Sequence, residues 1–446
     1  MTSIACDPVA PRWHRFSSAV GEHVLIVPHS RVFDLSDDLA SRFDLRPDEL
    51  DALCVTLARP TGGEVSLDEI PEPKPQSISL NVSSSCNLTC RYCYAARGSF
   101  EGRQSSAMSW STAKAAIDRL LEQAAPERPI TIGFLGGEPF VNRSLIHRCV
   151  DYAANQGACR ALDVRFSVTT NGTLLDASDR ELLRSHRFAV TVSLDGDSEL
   201  QDRQRPSAGI RPASWSAAVE HVVELLAEPG RAHLSARATV TRFAFQVGER
   251  LEALASLGFS EIGFSPLRVA PADAGPFEDS DWPLYLVSLT DAARSETKRL
   301  RRGEPIRLSN LLIALRQIHA GASSPYPCGA GGGYFSVAAD GRWYACHRAI
   351  GDPAYELGNN AGLDAELRRD FVAARHVHAQ TSCRVCWARY LCSGGCHQEA
   401  RTRTTASCDF IRGWLEFALE TYCELEPEFW SGDGPWPAAR NRGALA

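Results

Sequence analysis

The sequence of 446 residues lacks three features that would each fix a broad class of protein. No apolar run approaches the roughly 20 residues that a membrane-spanning helix needs, and residues 1–16 contain no apolar core of signal-peptide length. An excess of positive charge is missing too, because the formal net charge is −7. We therefore expect a cytoplasmic protein that has neither a membrane nor a nucleic acid among its partners.

Cysteine, in contrast, is abundant. The chain has 15 cysteines, and without a secretion signal they indicate metal or redox chemistry rather than disulfides. Ten of them lie in two clusters, at 86–93 and 328–408. The other five are expected to be buried as small apolar side chains: Cys6, Cys54, Cys149, Cys159 and Cys423. Length and composition otherwise fit a globular chain of two or three domains.

The first cluster, residues 86–93, reads CNLTCRYC, with the spacing CxxxCxxC and Tyr92 just before the last cysteine. A short loop of this spacing can bring three thiolates to three irons of an iron–sulfur cube and leave the fourth iron without a protein ligand. A zinc site would need a fourth ligand close by, and no further Cys or His is near in the sequence. The spacing therefore favours a cluster with one open iron.

Strand and helix patterns alternate from Gln76 to about Leu267, which predicts an α/β fold with a parallel sheet. Six strands are predicted, at 78–82, 130–135, 164–169, 189–194, 235–241 and 261–266. The helices predicted between them are at 111–123, 144–155, 177–185, 214–227 and 249–257. In such folds the chemistry lies on loops that follow the strands, and the cysteine cluster follows the first strand.

Polar loops that contain glycine follow the next three strands. Residues 136–139 read GGEP, 169–173 read TTNGT and 193–196 read SLDG. Each of them alone is typical of a turn, although paired glycines also permit close backbone approach and Glu138 offers an acceptor to an ammonium group. Further on, Arg205 forms either a solvated ion pair with Asp202 or a site for a ligand carboxylate.

Together these features resemble the radical S-adenosylmethionine (SAM) enzymes. The resemblance implies a partial (β/α)6 radical SAM barrel, SAM as a cofactor, and a [4Fe–4S] cluster on Cys86, Cys90 and Cys93. It also implies that Glu138 holds the methionine amino group of SAM and that Arg205 holds its carboxylate. The residues implied to bind the cofactor are Tyr92, Gly136, Gly137, Glu138, Pro139, Thr170, Asn171, Ser193, Asp195 and Arg205.

The second cluster has seven cysteines in a long ordered pattern, and the CSGGC core at 392–396 places two glycines where the chain must turn tightly. The pattern resembles the SPASM domain of peptide-modifying radical SAM enzymes, which implies two auxiliary [4Fe–4S] clusters and three clusters in all. Two structural zinc ribbons are the alternative. The implied outer ligands are Cys383, Cys386, Cys392 and Cys408, and the implied inner ligands are Cys328, Cys346 and Cys396.

Relatives with a full ligand set supply a further cysteine shortly after the first one, but residues 329–335 contain none. The resemblance therefore implies an inner cluster with an open iron, unless a scattered Cys, a His or water closes it. An open iron beside the radical site would bind a substrate thiolate and prepare its sulfur for bond formation.

The predicted domains are an N-terminal unit (1–75), the barrel (76–290), a helical bridge (291–325) and the SPASM domain (326–446). The N-terminal unit is a small α+β unit that resembles winged-helix domains which bind leader peptides. Its strands are predicted at 23–27 and 30–33, its helices after Ser36 or Asp37 and from Pro47 to Leu57, and a linker at 61–75. An exposed sheet edge would bind an extended leader, and a plain N-terminal brace is the alternative.

The resemblance implies an enzyme that uses a 5′-deoxyadenosyl radical to take hydrogen from a ribosomally made peptide or small protein with a leader segment. An external donor of the flavodoxin or ferredoxin type would supply electrons. Our leading hypothesis is maturation by Cys thioether crosslinks, and the alternative is crosslinks between an aromatic ring and a side-chain carbon. Formylglycine formation and a non-catalytic iron–sulfur protein are less favoured.

His347 departs from the pattern of the sulfatase-maturing relatives, which carry a catalytic Asp directly after the corresponding cysteine. This difference argues against formylglycine formation. His347 itself is a candidate catalytic base, and a hydrogen-bonded structural histidine is the alternative.

Overall fold

The computed structural model describes residues 10–57, 74–95, 106–209, 213–270, 272–321, 323–425 and 442–445. The chain forms two compact units. The terminal unit comprises Met1–Ile70, Asn310–Cys328 and Val372–Ala446, and the central unit comprises Pro71–Ser309 and Gly329–Phe371. The linker predicted at 61–75 lies almost entirely outside the described residues, and the predicted domain boundaries stay a prediction.

The elements are numbered in chain order. The strands are β1 (Trp13–Ser18), β2 (Gly21–Ile26), β3 (Arg31–Leu35), β4 (Ser77–Ser83), β5 (Ile130–Gly136), β6 (Val164–Thr170), β7 (Phe188–Ser193), β8 (His233–Val240), β9 (Ile262–Pro266), β10 (Tyr334–Val337), β11 (Arg342–Tyr344), β12 (Glu356–Asn359), β13 (Gly362–Leu363) and β14 (Arg442–Leu445). The helices are α1 (Asp37–Leu45), α2 (Pro47–Leu57), α3 (Trp110–Gln123), α4 (Arg143–Cys159), α5 (Ala177–Ser185), α6 (Ser198–Gln204), α7 (Ser214–Ala227), α8 (Val247–Ser256), α9 (Asp281–Leu300), α10 (Ser309–His319), α11 (Ala365–Arg375), α12 (Thr381–Arg384), α13 (Arg389–Cys392) and α14 (Thr405–Glu424).

In the terminal unit, a sheet of order β1-β2-β3-β14 packs against α1 and α2. Strands β1, β2 and β3 are antiparallel neighbours, whereas β14 pairs with β3 in parallel. Val24, Phe33 and Phe43 lie in the apolar core of this sheet. Ser36 accepts a hydrogen bond from Leu39 N and begins α1. The predicted strands and helices of this region are confirmed, and β1 and β14 were not predicted.

The central unit has a mixed sheet of order β13-β12-β11-β10-β4-β5-β6-β7-β8-β9. From β4 to β9 every neighbouring pair is parallel, so the six predicted strands are confirmed and their carboxyl ends lie at one edge. Strands β10 and β11 are antiparallel and form a hairpin that turns at Asp340-Gly341. Strand β10 pairs in parallel with β4 and so extends the same sheet.

The two faces of the parallel strands differ in chemistry. One face is apolar and buried, as Phe134, Phe166 and Val190 show. The opposite face carries small and hydroxyl side chains such as Ser167 and Thr191, which are only half-buried. The apolar face is the one that helices cover in an α/β fold, and the polar face is left for chemistry. Within the described ranges, no helix is long and apolar enough to cross a bilayer.

Candidate functional site

The three-cysteine loop follows β4 and is hydrogen-bonded to the last residue of α6 and to the segment that follows it. Thr89 donates from its backbone nitrogen to the oxygen of Pro206, at 2.7 Å. Arg91 donates in the same way to Gln204, at 3.0 Å. The loop contains no helix or strand of its own, so these bonds supply the backbone partners that it would otherwise lack.

The GGEP segment is hydrogen-bonded to the backbone just before Cys86. Gly137 donates from its backbone nitrogen to Ser83 O at 2.8 Å, and Glu138 donates to Ser85 O at 2.9 Å. The two predicted glycines therefore do permit close backbone approach, and their partner is the start of the cysteine loop itself.

Substitution of Gly137 by Ala should displace the start of the cysteine loop. A Cβ on Gly137 would lie 2.4 Å from Ser85 O, and a Cβ on Gly136 would lie 2.2 Å from Ser83 O. We expect G137A to lower stability by about 1–3 kcal/mol and to reduce the iron bound after anaerobic reconstitution. Urea unfolding and iron analysis check this, with Gly248→Ala as the control because nothing lies within 4 Å of its added Cβ. Equal effects of the two variants would contradict the expectation.

The Glu138 carboxylate is buried and joins the end of β5 to the end of β6. It accepts hydrogen bonds from the Thr170 hydroxyl and from the Asn171 backbone nitrogen, both at 2.7 Å. Burial raises the pKa of Glu138, and these hydrogen bonds oppose that rise. The structure thus shows a carboxylate engaged with its own chain, and its predicted role toward the SAM amino group stays a prediction.

Asn171 reaches back to the cysteine loop. Its side-chain nitrogen donates to Asn87 Oδ1 at 3.0 Å and lies 4.0 Å from Cys86 Sγ. Asn87 in turn donates to the Thr173 hydroxyl at 2.7 Å. Polar groups beside a ligating sulfur orient it and tune the metal centre, so the TTNGT segment is placed where such groups are needed.

Tyr92, Asp195 and Arg205 form a buried network. The Tyr92 hydroxyl donates to Asp195 Oδ2 and accepts from Arg205 Nη1 at 3.0 Å. Asp195 also accepts from the Thr239 backbone nitrogen at 2.9 Å through its other oxygen. The end of β7, the cysteine loop and the segment after α6 are joined in this way.

Arg205 retains one unused donor, because its buried Nε has no hydrogen-bond partner. Burial raises the pKa of the Cys90 thiol, and the Arg205 charge opposes that rise, which places this cation beside the cysteine trio. A buried donor needs an acceptor, and a ligand carboxylate would supply one. Three thiols beside an unsatisfied cation therefore fit an iron–sulfur cluster with bound SAM.

The solvated ion pair between Asp202 and Arg205, predicted as an alternative, is wrong. Arg205 is only 9% exposed, and Asp202 accepts from the Trp215 backbone nitrogen at 2.8 Å instead.

Two further residues predicted for the cofactor site lie at the ends of elements. Ser193 is the half-buried last residue of β7, and Pro139 is buried at the start of a short turn.

His347 lies in the central unit in contact with a tyrosine. Its Nδ1 is 2.9 Å from the Tyr334 hydroxyl, which is 2.6 Å from Ser79 Oγ. Burial and, to a smaller extent, the charge of Arg348 lower the pKa of His347 to about 4. A base with such a pKa is weak at neutral pH, which favours the structural interpretation.

Four of the seven downstream cysteines line one cavity of about 350 Å³ in the terminal unit. Cys383 lies on α12, Cys392 ends α13, and Cys408 lies in the first turn of α14. Cys386 lies on the loop between α12 and α13. The structure therefore brings together the four residues predicted for the outer cluster.

Three arginines line the same cavity, namely Arg389, Arg403 and Arg412. Arg403 Nη1 lies 2.8 Å from Cys383 Sγ, and the buried Nε of Arg389 has no hydrogen-bond partner. A cluster with four thiolate ligands is an anion, and a buried anion needs opposite charge. The lining thus fits an iron–sulfur cluster in both donors and charge.

The spacing of the sulfurs argues against zinc. In the described part of the chain, no three of these cysteines have sulfurs that all lie within 4.8 Å of one another. A single zinc ion holds its thiolates about 3.8 Å apart, given Zn–S bonds of about 2.3 Å. A cube binds each thiolate through a different iron, so wider spacing fits a cluster and disfavours the zinc alternative.

The predicted inner ligands are divided between the two units. Cys346 belongs to the central unit, whereas Cys328 and Cys396 belong to the terminal unit. Their grouping in one cluster stays a prediction.

The arginines of the cavity are functional candidates that the sequence interpretation missed. One positional indication was present, because Arg412 follows Cys408 by four residues on a helix and so lies on the same face. Arg389 and Arg403 are brought to the cavity by turns, which the spacing of the cysteines does not specify.

Comparison with known proteins finds a family that matches part of the chain. Residues 80–231, which carry the cysteine loop and the polar loops after β5, β6 and β7, match the radical SAM superfamily. These residues therefore form a radical SAM domain. This radical SAM enzyme is 25% identical over 368 residues to the serine-type anaerobic sulfatase-maturating enzyme of Klebsiella aerogenes, a match that covers 80% of the chain and 87% of that protein.

Solved structures share the fold of this radical SAM enzyme. The protein anSMEcpe with bound AdoMet superposes with a TM-score of 0.66 at 19% identity, over 78% of this chain and 98% of that one. SuiB of Streptococcus suis bound to its precursor peptide SuiA superposes with a TM-score of 0.52 at 13% identity, over 90% and 98%. At these identities the likeness concerns the fold.

Proposed function

We propose that this radical SAM enzyme modifies a ribosomally made peptide or protein. The observation that carries the proposal is the convergence of the polar loops after β5, β6 and β7 on the three-cysteine loop. The peptide substrate is supported by the relatives, since one is named a sulfatase-maturating enzyme and SuiB was solved with a precursor peptide.

Cys86, Cys90 and Cys93 would hold the [4Fe–4S] cluster, and Arg205 would bind the SAM carboxylate through its unused Nε. When bound, the cluster and SAM supply hydrogen-atom abstraction from an unreactive carbon. Tyr92 keeps the Arg205 guanidinium in place, because its hydroxyl lies between Arg205 and Asp195. Tyr92, Asp195 and Arg205 are buried, so they orient the cofactor and keep water away from it.

The auxiliary sites support peptide maturation within this superfamily. Cys383, Cys386, Cys392 and Cys408 would hold one cluster in the cavity lined by arginines. A second cluster on Cys328, Cys346 and Cys396 completes the proposed SPASM arrangement. A small donor protein of the flavodoxin or ferredoxin type would deliver electrons.

For the bond that is formed, we propose a thioether between a substrate cysteine and a carbon. The support is the absence of a cysteine at 329–335, which leaves the inner set with three thiolates and room for a substrate thiolate. The product would have two hydrogens fewer than the substrate and no free thiol at that cysteine.

Mass spectrometry of the reaction tests this bond. The reconstituted enzyme, SAM and dithionite are incubated with a Cys-containing candidate peptide, and with a copy whose cysteines are Ala. We expect a loss of two hydrogens and of iodoacetamide labelling in the first peptide only. A loss of two hydrogens in the Ala copy would instead support carbon–carbon crosslinking.

Formylglycine formation is the second candidate, because the Klebsiella relative matches 80% of the chain. This reaction leaves an aldehyde at a Cys or Ser, and a hydrazide probe would label it. A labelled product would replace the thioether proposal. His347, which stands in place of the catalytic Asp, argues against this candidate.

The proposed leader site must account for β14. This strand pairs with β3 over Arg442–Leu445, so the β3 edge is already occupied. A leader peptide that adds a strand there would have to displace β14, and the opposite edge, at β1, is the alternative position.

Replacement of His347 should test its role directly. A general base contributes about 100–10,000-fold to a rate, and a histidine that is neutral at pH 7 and bonded to Tyr334 should contribute far less. We expect His347→Gln to change the rate of peptide modification by less than about tenfold, with an unchanged pH profile between pH 6 and 9. A larger loss that follows the ionisation of one group would make His347 catalytic.

A further inference from the structure

A buried group in the terminal unit has no part in the proposed reaction. His23 on β2 and Asp34 on β3 are cross-strand partners, and Cys423 lies near the end of α14. One ligand atom from each lies within 4.8 Å of the other two. In the described part of the chain, no other three His, Cys, Asp or Glu side chains come together so closely.

The geometry of His23 suits a metal ligand. Its Nδ1 faces Asp34 Oδ1 at 2.8 Å, and its Nε2 lies 2.7 Å from the Ser18 hydroxyl. Metal-bound histidines commonly use one ring nitrogen for the ion and donate from the other to an oxygen, which fixes the tautomer. Ser18 supplies that second oxygen, so Nδ1, which faces Asp34, is the nitrogen left for the ion.

Burial and accessibility differ usefully among the three residues. His23 is 1% and Cys423 is 2% exposed, whereas the Asp34 side chain is 34% exposed. Of the three residues, only Asp34 is substantially exposed to solvent. A water molecule can enter there as a fourth ligand, while the nitrogen and the sulfur stay shielded.

We propose that His23, Asp34 and Cys423 bind one divalent ion of the zinc class. Imidazole nitrogen, carboxylate oxygen and thiolate sulfur are all zinc ligands, at about 2.0–2.3 Å. Tetrahedral angles then separate the ligand atoms by about 3.3–3.6 Å, so His23 and Asp34 would part by roughly half an ångström. The Cys423 thiol loses its proton to solvent when the ion binds, and nothing is oxidised or reduced.

Such an ion would fasten β2 and β3 to α14. The same helix carries Cys408 in its first turn, at the cavity proposed for the outer cluster. The ion would thus stabilise the scaffold that carries this ligand. The site does not depend on the proposed function, because none of its residues lies in the SAM site or the cavity.

X-ray absorption at the zinc edge tests the site in the intact protein with its iron–sulfur clusters in place. The protein is stripped with EDTA, given one equivalent of Zn²⁺ and desalted. We expect one zinc per chain, bound by one sulfur and by nitrogen or oxygen atoms. Zinc bound by three or four sulfurs would show occupation of cluster cysteines and would overturn the proposal, as would a failure to retain zinc.

Two variants and a control give an independent reading. Cys423→Ala and His23→Gln should lose the zinc, and Cys149→Ala should keep it, because Cys149 is equally buried but lies on α4 of the central unit. Retention of zinc by both Cys423→Ala and His23→Gln would overturn the proposal. Should a variant fail to fold, the sulfur count of the unaltered protein still decides.

Discussion

Replacing Cys90 with Ala should abolish the reductive cleavage of SAM. Cys90 is the central cysteine of the loop. The charge of Arg205, the residue proposed to bind SAM, opposes the rise that burial causes in the pKa of Cys90. Loss of a direct ligand exceeds the roughly 10–100-fold cost of losing a second-shell partner. We therefore expect 5′-deoxyadenosine formation to fall by more than about 100-fold. Chromatography with mass detection of the nucleoside, under dithionite, measures the effect.

The matched control for this variant is Cys149→Ala. Cys149 is a fully buried cysteine of the same unit, on α4, outside the loop. It should keep its iron and its activity, whereas C90A should lose the iron of one cluster and retain that of the others. Normal 5′-deoxyadenosine formation by C90A would remove the basis of the proposed function.

The fold was largely predictable where its pattern is local. Strands β4 to β9 and the helices between them follow from alternating apolar segments, and Ser36 marks the start of α1 as a cap should. Pairings between distant segments were not predictable. Strand β10 joins β4 across more than 250 residues, and β14 joins β3 across about 400, because register between remote strands depends on packing that no local period encodes.

The site divides in the same way. Cysteines and glycines stand out by spacing, and the polar loops that they mark do meet at the cysteine loop. Hydrogen-bond partners that only the folded chain brings together were missed. Examples are Asn87, which accepts from Asn171, and Arg403, which lies beside Cys383. Cys423 shows the limit most clearly: it was expected to be an apolar core residue, and it is buried, but beside His23 and Asp34.

Replacing Cys383 with Ala should separate SAM cleavage from peptide modification. The variant loses one of the four sulfurs of the 350 Å³ cavity, and Arg403 loses the sulfur that lies 2.8 Å from it. The three-cysteine loop belongs to the other compact unit, so its cluster should form normally. We expect 5′-deoxyadenosine within about threefold of normal and modified peptide reduced by more than about 100-fold, since bond formation must release an electron from the substrate.

The control for this variant is Cys54→Ala, which removes a buried cysteine of the terminal unit that lies on α2, away from the cavity. It should retain all its iron and its product.

A variant with Arg403→Leu adds a graded test, because it keeps four thiolates and removes one positive charge beside them. A buried anionic cluster loses stability when a compensating cation is removed, so R403L should bind iron but release it faster to a chelator than the unaltered protein. If C383A made normal amounts of product, the cavity would have no part in the reaction. If R403L released iron no faster, the arginine would serve packing alone.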